Sequence, residues 1–143
     1  MFLAVFVIQG VIRLERLSEY RALVDCAKNA AESAYVPYSK TSQGAALLSA
    51  DGKIYKGAKM ECAAYGGSVC AETAALTAAI SEGERRFQAI AIHPSEYPCG
   101  TSRQMLAEFG INLDVVVEDS SGQIQVVNLK ELLPSHFGPD NLS

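Results

Sequence analysis

From Leu17 the apolar positions recur at Tyr20, Leu23, Val24, Ala27, Ala30, Ala31 and Ala34. Steps of three and four mark one face of a helix, and Ser18 stands near its start as a cap. Pro37 in "YVPYS" closes this stretch, because the residue before a proline avoids helical geometry. The period then changes. "GAALLSADGKIYKGA" holds two short apolar runs around Asp51-Gly52, which predicts a hairpin. "CAETAALTAAI" is rich in Ala and Leu and predicts a helix. "FQAIAIH" predicts a short buried strand, and "TSRQMLAEFG" a helix stopped at Gly110. "LDVVVED" and "QIQVV" predict a second strand pair around "SSG", and "LKELLPSHF" a last short helix. The resulting order, α-β-β-α-β-α-β-β-α, is most economically buried as an α/β domain: a sheet of about five strands with helices on its faces. No repeat, low-complexity tract or linker interrupts it. One domain therefore runs over residues 17–143, and residues 1–16 form an apolar extension.

With 143 residues, 49% of them hydrophobic and 20% charged, the chain has enough material for one real core. A formal net charge of −4 argues against a nucleic-acid-binding surface, which needs clustered Lys and Arg. A small nucleoside, carrying no phosphate, stays within reach. The opening "MFLAVFVIQGVIR" falls short of the roughly 20 residues a membrane span requires. It also lacks the basic segment and cleavage site of a signal peptide. It reads as an extra strand or a disordered extension, with a processed targeting segment as the alternative. Four cysteines in a chain of this length need no disulfide staples, so they are expected as reduced thiols in the cytoplasm.

The candidate chemistry lies at two helix starts. Cys70 and Glu72 open the second helix, and Cys99 and Ser102 the third. Helix N-termini favour negative charge, so both thiols are expected to shift toward thiolate, the form that binds zinc. Glu72 can face a metal without binding it, and a carboxylate so placed can move protons to and from a bound water. Taken singly, these residues have plainer readings: Cys26 is a core residue on the first helix, and a lone Glu at a helix start is a solvated dipole partner. "C-A-E" followed about thirty residues on by "P-C-x-x" at the next helix start is a much rarer combination. "PCGTSRQ" differs from a P-C-x-x-C turn only in having Ser102 where the second thiol would be.

Together with "AYVPYS", "GAALLSADGKIYKG", "MECAAYG", "RQMLAEFG" and "ELLPSHFGPDNL", these motifs resemble the cytidine deaminases, in particular the small-subunit class with a cysteine-only zinc site. The resemblance runs from about Leu17 to the end of the chain. It implies a three-layer α/β/α sandwich with a mixed five-stranded sheet, and a homotetramer. It also implies hydrolytic removal of the 4-amino group of cytidine or deoxycytidine, with one Zn²⁺ per chain. Carried over by position, Cys70 and Cys99 are zinc ligands, Ser102 occupies the third ligand position, and Glu72 is the acid/base. Glu61 matches the carboxylate that holds the ribose, with Lys59 beside it. The Ala71 backbone matches a base contact, and Phe137 an aromatic that closes a neighbouring subunit's site.

Four positions depart from the family pattern. Ser102 replaces a thiolate, Thr73 an Arg, Lys59 an Asn, and Thr41 a Phe that packs on the pyrimidine; the loop from His93 to Pro98 is also short. The first two changes are self-consistent. Three thiolates around a dication leave a net negative charge that is costly to bury, and the Arg offsets it. With two thiolates the site is neutral and needs no cation, although a decayed site could look the same. His93 is a candidate substitute ligand, against the plainer reading of a surface or hydrogen-bonded histidine. Cys62 reads as a packing residue. Lys59 reads as the partner of a nearby carboxylate, or more sharply as a phosphate contact. Two functions follow: a zinc-dependent deaminase, or a non-catalytic relative that binds nucleosides or serves as a structural subunit.

Overall fold

The computed structural model describes residues 6–7, 10–11 and 14–143. Of the N-terminal extension, β1 (Phe6–Val7) and β2 (Gly10–Val11) pair antiparallel. Residues 1–5, 8–9 and 12–13, and the reading of this segment as a targeting sequence, lie outside the described residues. No helix among the described residues is long and apolar enough to cross a membrane.

The chain continues through α1 (Leu14–Ala31), β3 (Gly44–Ser49), β4 (Ile54–Ala58), α2 (Ala71–Ser81) and β5 (Phe87–His93). It ends with α3 (Gly100–Ala107), β6 (Asp114–Glu118), β7 (Ile124–Asn128) and the single turn α4 (Leu129–Leu132). The sheet order is β4-β3-β5-β6-β7. Only β5 and β6 run parallel, joined by the crossover through α3, so the sheet is mixed as expected.

Strand alternation divides the core into two layers. Ala46, Leu48, Ala89, Ala91 and Val116 face α1, where they meet Tyr20, Leu23, Val24 and Ala27. Ala45, Leu47, Ile90, Ile92, Val115 and Val117 face the other way, onto Ala71, Ala75, Leu76 and Ala79 of α2 and Leu106 and Ala107 of α3. Leu23 and Val24 are fully buried. Burying each is worth about 1.5–3 kcal/mol relative to leaving it in water. The predicted apolar stripe of α1 is therefore its core face.

Two glycines set the helix-to-sheet distance on opposite faces. A Cβ on Gly44 would run into the Ala27 carbonyl and Ala31 backbone of α1. A Cβ on Gly57 would run into the Ala71 carbonyl and the Ala75 nitrogen of α2. Gly57 thus seats the first turn of α2 directly on β4, which fixes where Cys70 and Glu72 stand.

The start of α1 differs from the sequence expectation. The helix begins at Leu14, so Ser18 lies inside it and caps nothing. The turn Leu14-Glu15-Arg16 has one apolar residue and gives no periodic signal. Arg16 is instead held by polar contacts, donating to the Tyr20 hydroxyl at 2.7 Å and to Gln88 Oε1 at 3.2 Å. At the other end Ala34 falls in the turn after the helix.

The antiparallel pairing of β3 with β4 and β5 brings one set of strand ends together. The start of β3, the ends of β4 and β5, and the segments leading from them to Glu61 and Cys99 share one end of the sheet. The Asp51–Gly52 turn lies at the opposite end.

Candidate active site

The two cysteines predicted to converge do so. Cys70 is the N-cap of α2 and Cys99 the N-cap of α3, both with extended backbone and neither using its side chain as a cap. Their Sγ atoms stand 3.9 Å apart. Two thiolates each about 2.3 Å from one tetrahedral zinc would stand roughly 3.8 Å apart. The Ser102 side chain is buried, one turn into α3, with its Oγ 3.5 Å from Cys99 Sγ. Both separations match those between ligand atoms at neighbouring corners of a zinc tetrahedron. Among the described residues no group of three His, Cys, Asp or Glu stands together as a metal site, and no contact joins His93 to the thiols.

The two thiols are not equivalent, contrary to the expectation that both helix starts would favour thiolate. The Ser102 N–H and hydroxyl hold Cys99 below the usual thiol range. Burial, then the charge of Glu72, pushes Cys70 up. Glu72 itself is 1% exposed, and its Oε2 has no hydrogen-bond partner. Burial raises its carboxyl above the ordinary range. An orphaned carboxylate oxygen in a native fold is costly and rare, and it marks a place where a ligand, water or ion belongs.

Glu61 shows the opposite treatment. Its Oε1 accepts the Tyr38 N–H at 3.2 Å and the Ser39 N–H at 3.1 Å, and Lys59 Nζ lies 3.7 Å from Oε2. The Ser39 hydroxyl and N–H, with help from Tyr38 and Lys59, hold this carboxyl below its ordinary range. Lys59 thus pairs with a carboxylate, the plainer of its two readings. A cleft of about 340 Å³ opens here, lined by Tyr38, Ser39, Lys59, Glu61, Tyr65 and Ser68.

Other predicted positions lie around this line. Ala71 is fully buried and donates its N–H to Gln43 Oε1 at 3.2 Å. Thr73 is half-buried and donates to Met105 Sδ at 3.7 Å, tying α2 to α3. Thr41 is exposed. Phe137 is 59% exposed, with its carbonyl accepting Gln104 Nε2 of α3 at 2.8 Å. Cys62 packs its Sγ against the Ala64 carbonyl, and all four cysteines are free.

Two contributors carried no recognisable signal in the chain. Gln43, the last of a polar run ahead of an apolar strand, carries no motif. Arg103 donates to the Pro98 carbonyl at 2.7 Å and to the Leu132 carbonyl at 2.8 Å, so it braces the turn that presents Cys99. Its spacing from Pro98 was visible, but the bond forms only once α4 packs beside α3.

The family model for the cytidine and deoxycytidylate deaminase zinc-binding region matches residues 7–92, which include Cys70 and Glu72 and stop before Cys99. A cytidine deaminase of Sporosarcina psychrophila is 41% identical over 126 residues, covering 85% of this chain and 93% of the relative. The crystal structure of cytidine deaminase from Burkholderia pseudomallei superimposes with a TM-score of 0.77 at 42% identity, covering 82% of this chain and 98% of that one. That of Mycobacterium tuberculosis does so with a TM-score of 0.75 at 38% identity, covering 84% and 98%. Matched over most of its length in sequence and in fold, the chain belongs to the cytidine and deoxycytidylate deaminase family.

Proposed function

We propose that this protein removes the 4-amino group of cytidine or deoxycytidine by hydrolysis, giving the corresponding uridine and ammonia. Cys70, Cys99 and Ser102 would hold one zinc ion per chain. When bound, zinc lowers the pKa of a coordinated water so that it can attack at neutral pH. The observation that carries this reading is Glu72: a buried carboxylate with an uncommitted oxygen, two residues from one of two thiols 3.9 Å apart.

The chain's own residues supply the rest. Glu72 accepts a proton from the attacking water and returns it to the departing nitrogen, a role for which a raised carboxyl pKa is suited. Glu61, fixed by two backbone N–H groups, offers its second oxygen and Lys59 to the sugar hydroxyls. The Ala71 backbone, one residue before Glu72, would contact the base. Phe137, Tyr38 and Tyr65 are exposed aromatics of the kind an assembly covers. They support a homotetramer in which Phe137 reaches a neighbouring site. Free thiols throughout suit a cytoplasmic protein.

A second reading, a relative that binds nucleosides without turnover, is favoured by one observation: Ser102 gives the metal a neutral hydroxyl in place of a thiolate. Zinc content of the purified protein, measured beside the absorbance change from cytidine to uridine, separates the two. About one zinc per chain with turnover is expected. Uridine binding with neither zinc nor turnover would establish the second reading.

A further inference from the structure

Gln43 precedes β3 and keeps only 8% of its surface. Its carbonyl accepts the Lys59 N–H at 3.0 Å, and its side-chain Oε1 accepts the Ala71 N–H at 3.2 Å. It therefore bridges the segment carrying Lys59 and Glu61 to the helix start carrying Cys70 and Glu72. An N–H can be met only by the amide oxygen, so this bond fixes which way the carboxamide is turned. The NH₂ end is left over: it donates to no described residue, and unlike Glu72 Oε2 it is not sealed from solvent, so it opens toward space a ligand can reach. The orphaned Oε2 of Glu72 lies one residue beyond Ala71.

A nucleoside held by its sugar at Glu61, with its reacting carbon at Glu72, lays its six-membered ring across this bridge. Between the glycosidic nitrogen and C4, one ring edge carries the 2-carbonyl and N3, both acceptors. The other edge carries only C–H groups. An unpartnered amide donor is satisfied by the first edge alone. We propose that Gln43 determines base specificity: it takes up the Ala71 N–H and presents its own NH₂ to the pyrimidine 2-carbonyl, so that this edge is read through Gln43. The inference rests on the nucleoside reading given under Proposed function.

The test crosses two substitutions with two ligands that are not turned over. Uridine and 2-thiouridine differ only at the 2-position, where sulfur is the poorer acceptor. Gln43→Glu keeps an acceptor for the Ala71 N–H but removes the NH₂, and Gln43→Met fills the same space with neither. By calorimetry the wild type should prefer uridine by about threefold to tenfold, the worth of one neutral hydrogen bond. In both variants the ratio should fall close to one. Thermal stability should follow the other end of the amide, kept in Gln43→Glu and lowered in Gln43→Met. A wild type without the preference, or a variant that retains it, would overturn the inference and leave Gln43 as a helix cap. If Gln43→Met does not fold, Gln43→Glu alone decides. Failure of the wild type to bind uridine at all would remove the nucleoside reading, and this inference with it.

Discussion

Glu61 and Glu72 are both buried carboxylates at the same end of the sheet, and the protein treats them in opposite ways. Glu61 is surrounded by donors from Tyr38, Ser39 and Lys59 and is held ionised. Glu72 is desolvated, leaves one oxygen unmatched, and resists ionisation. A satisfied carboxylate is a fixed binding element: its charge is settled before any ligand arrives. An unsatisfied one can change protonation state during a reaction, which a proton carrier must do. The local donor supply makes the physical difference between the two.

The contrast can be broken most forcefully at Glu72. Glu72→Gln keeps shape and removes the titrating group, so kcat for cytidine should fall by about 10²–10⁴-fold. Removing a buried, unpartnered charge should leave thermal stability unchanged or higher. Unchanged turnover in a steady-state assay would take the proton-carrier role away.

Glu61→Ala should act on binding. Loss of a hydrogen bond to a charged group weakens a ligand by about tenfold to a hundredfold. KM for cytidine should rise on that scale, while affinity for free cytosine, which has no sugar, stays near the wild-type value. Equal losses for both would show that Glu61 does not hold the ribose.

Smaller again is the coupling between Ser102 and Thr73. Ser102→Cys adds a third soft ligand but leaves a buried negative charge. Thr73→Arg, one turn after Cys70 on the helix that packs against α3, offsets it. Zinc affinity across the four members of this cycle should be non-additive by about 0.5–3 kcal/mol, the double variant binding more tightly than the single effects predict. Additive effects would count against charge compensation as the reason both positions changed.

The mildest effect is on stability against pH in the metal-free protein. The folded pKa of Glu72 is raised, so its contribution is fully present below the unfolded pKa and lost as pH rises through the folded value. The folded pKa of Glu61 is lowered, so its contribution is present above the unfolded pKa and lost as pH falls through the folded value. Melting curves from acid to neutral pH should therefore lose a destabilising rise-with-pH component in Glu72→Gln, and acid sensitivity in Glu61→Gln. The same change in both variants would contradict the contrast.

Much of this was legible in the chain because it is written in local signals. "FQAIAIH" reads as a strand from its apolar run and is one over Phe87–His93. The Asp51-Gly52 turn fixes its hairpin, and "CAE" and "PC" mark the two helix starts. The start of α1 was hidden because polar contacts from Arg16, not apolar spacing, hold its first turn. The divergence between Cys70 and Cys99 was hidden for a different reason. Both sit at helix N-termini, but burial beside Glu72 outweighs the dipole at Cys70, while Ser102 reinforces it at Cys99. Gln43 was invisible because its partner, Ala71, is 28 residues away and meets it only in the folded sheet.

The sheet gathers its chemistry at one end and leaves the Asp51–Gly52 turn at the other. That turn is exposed, and Gly52 sits at φ 91°, a geometry most side chains avoid. It is accordingly the place to fasten the protein to a solid support, or to reopen the chain in a permuted variant. A linker inserted there disturbs neither the strand ends nor the helix starts that carry function. An immobilised form attached at this turn would face its reactive end outward to the solution, with the full length of the sheet as its spacer.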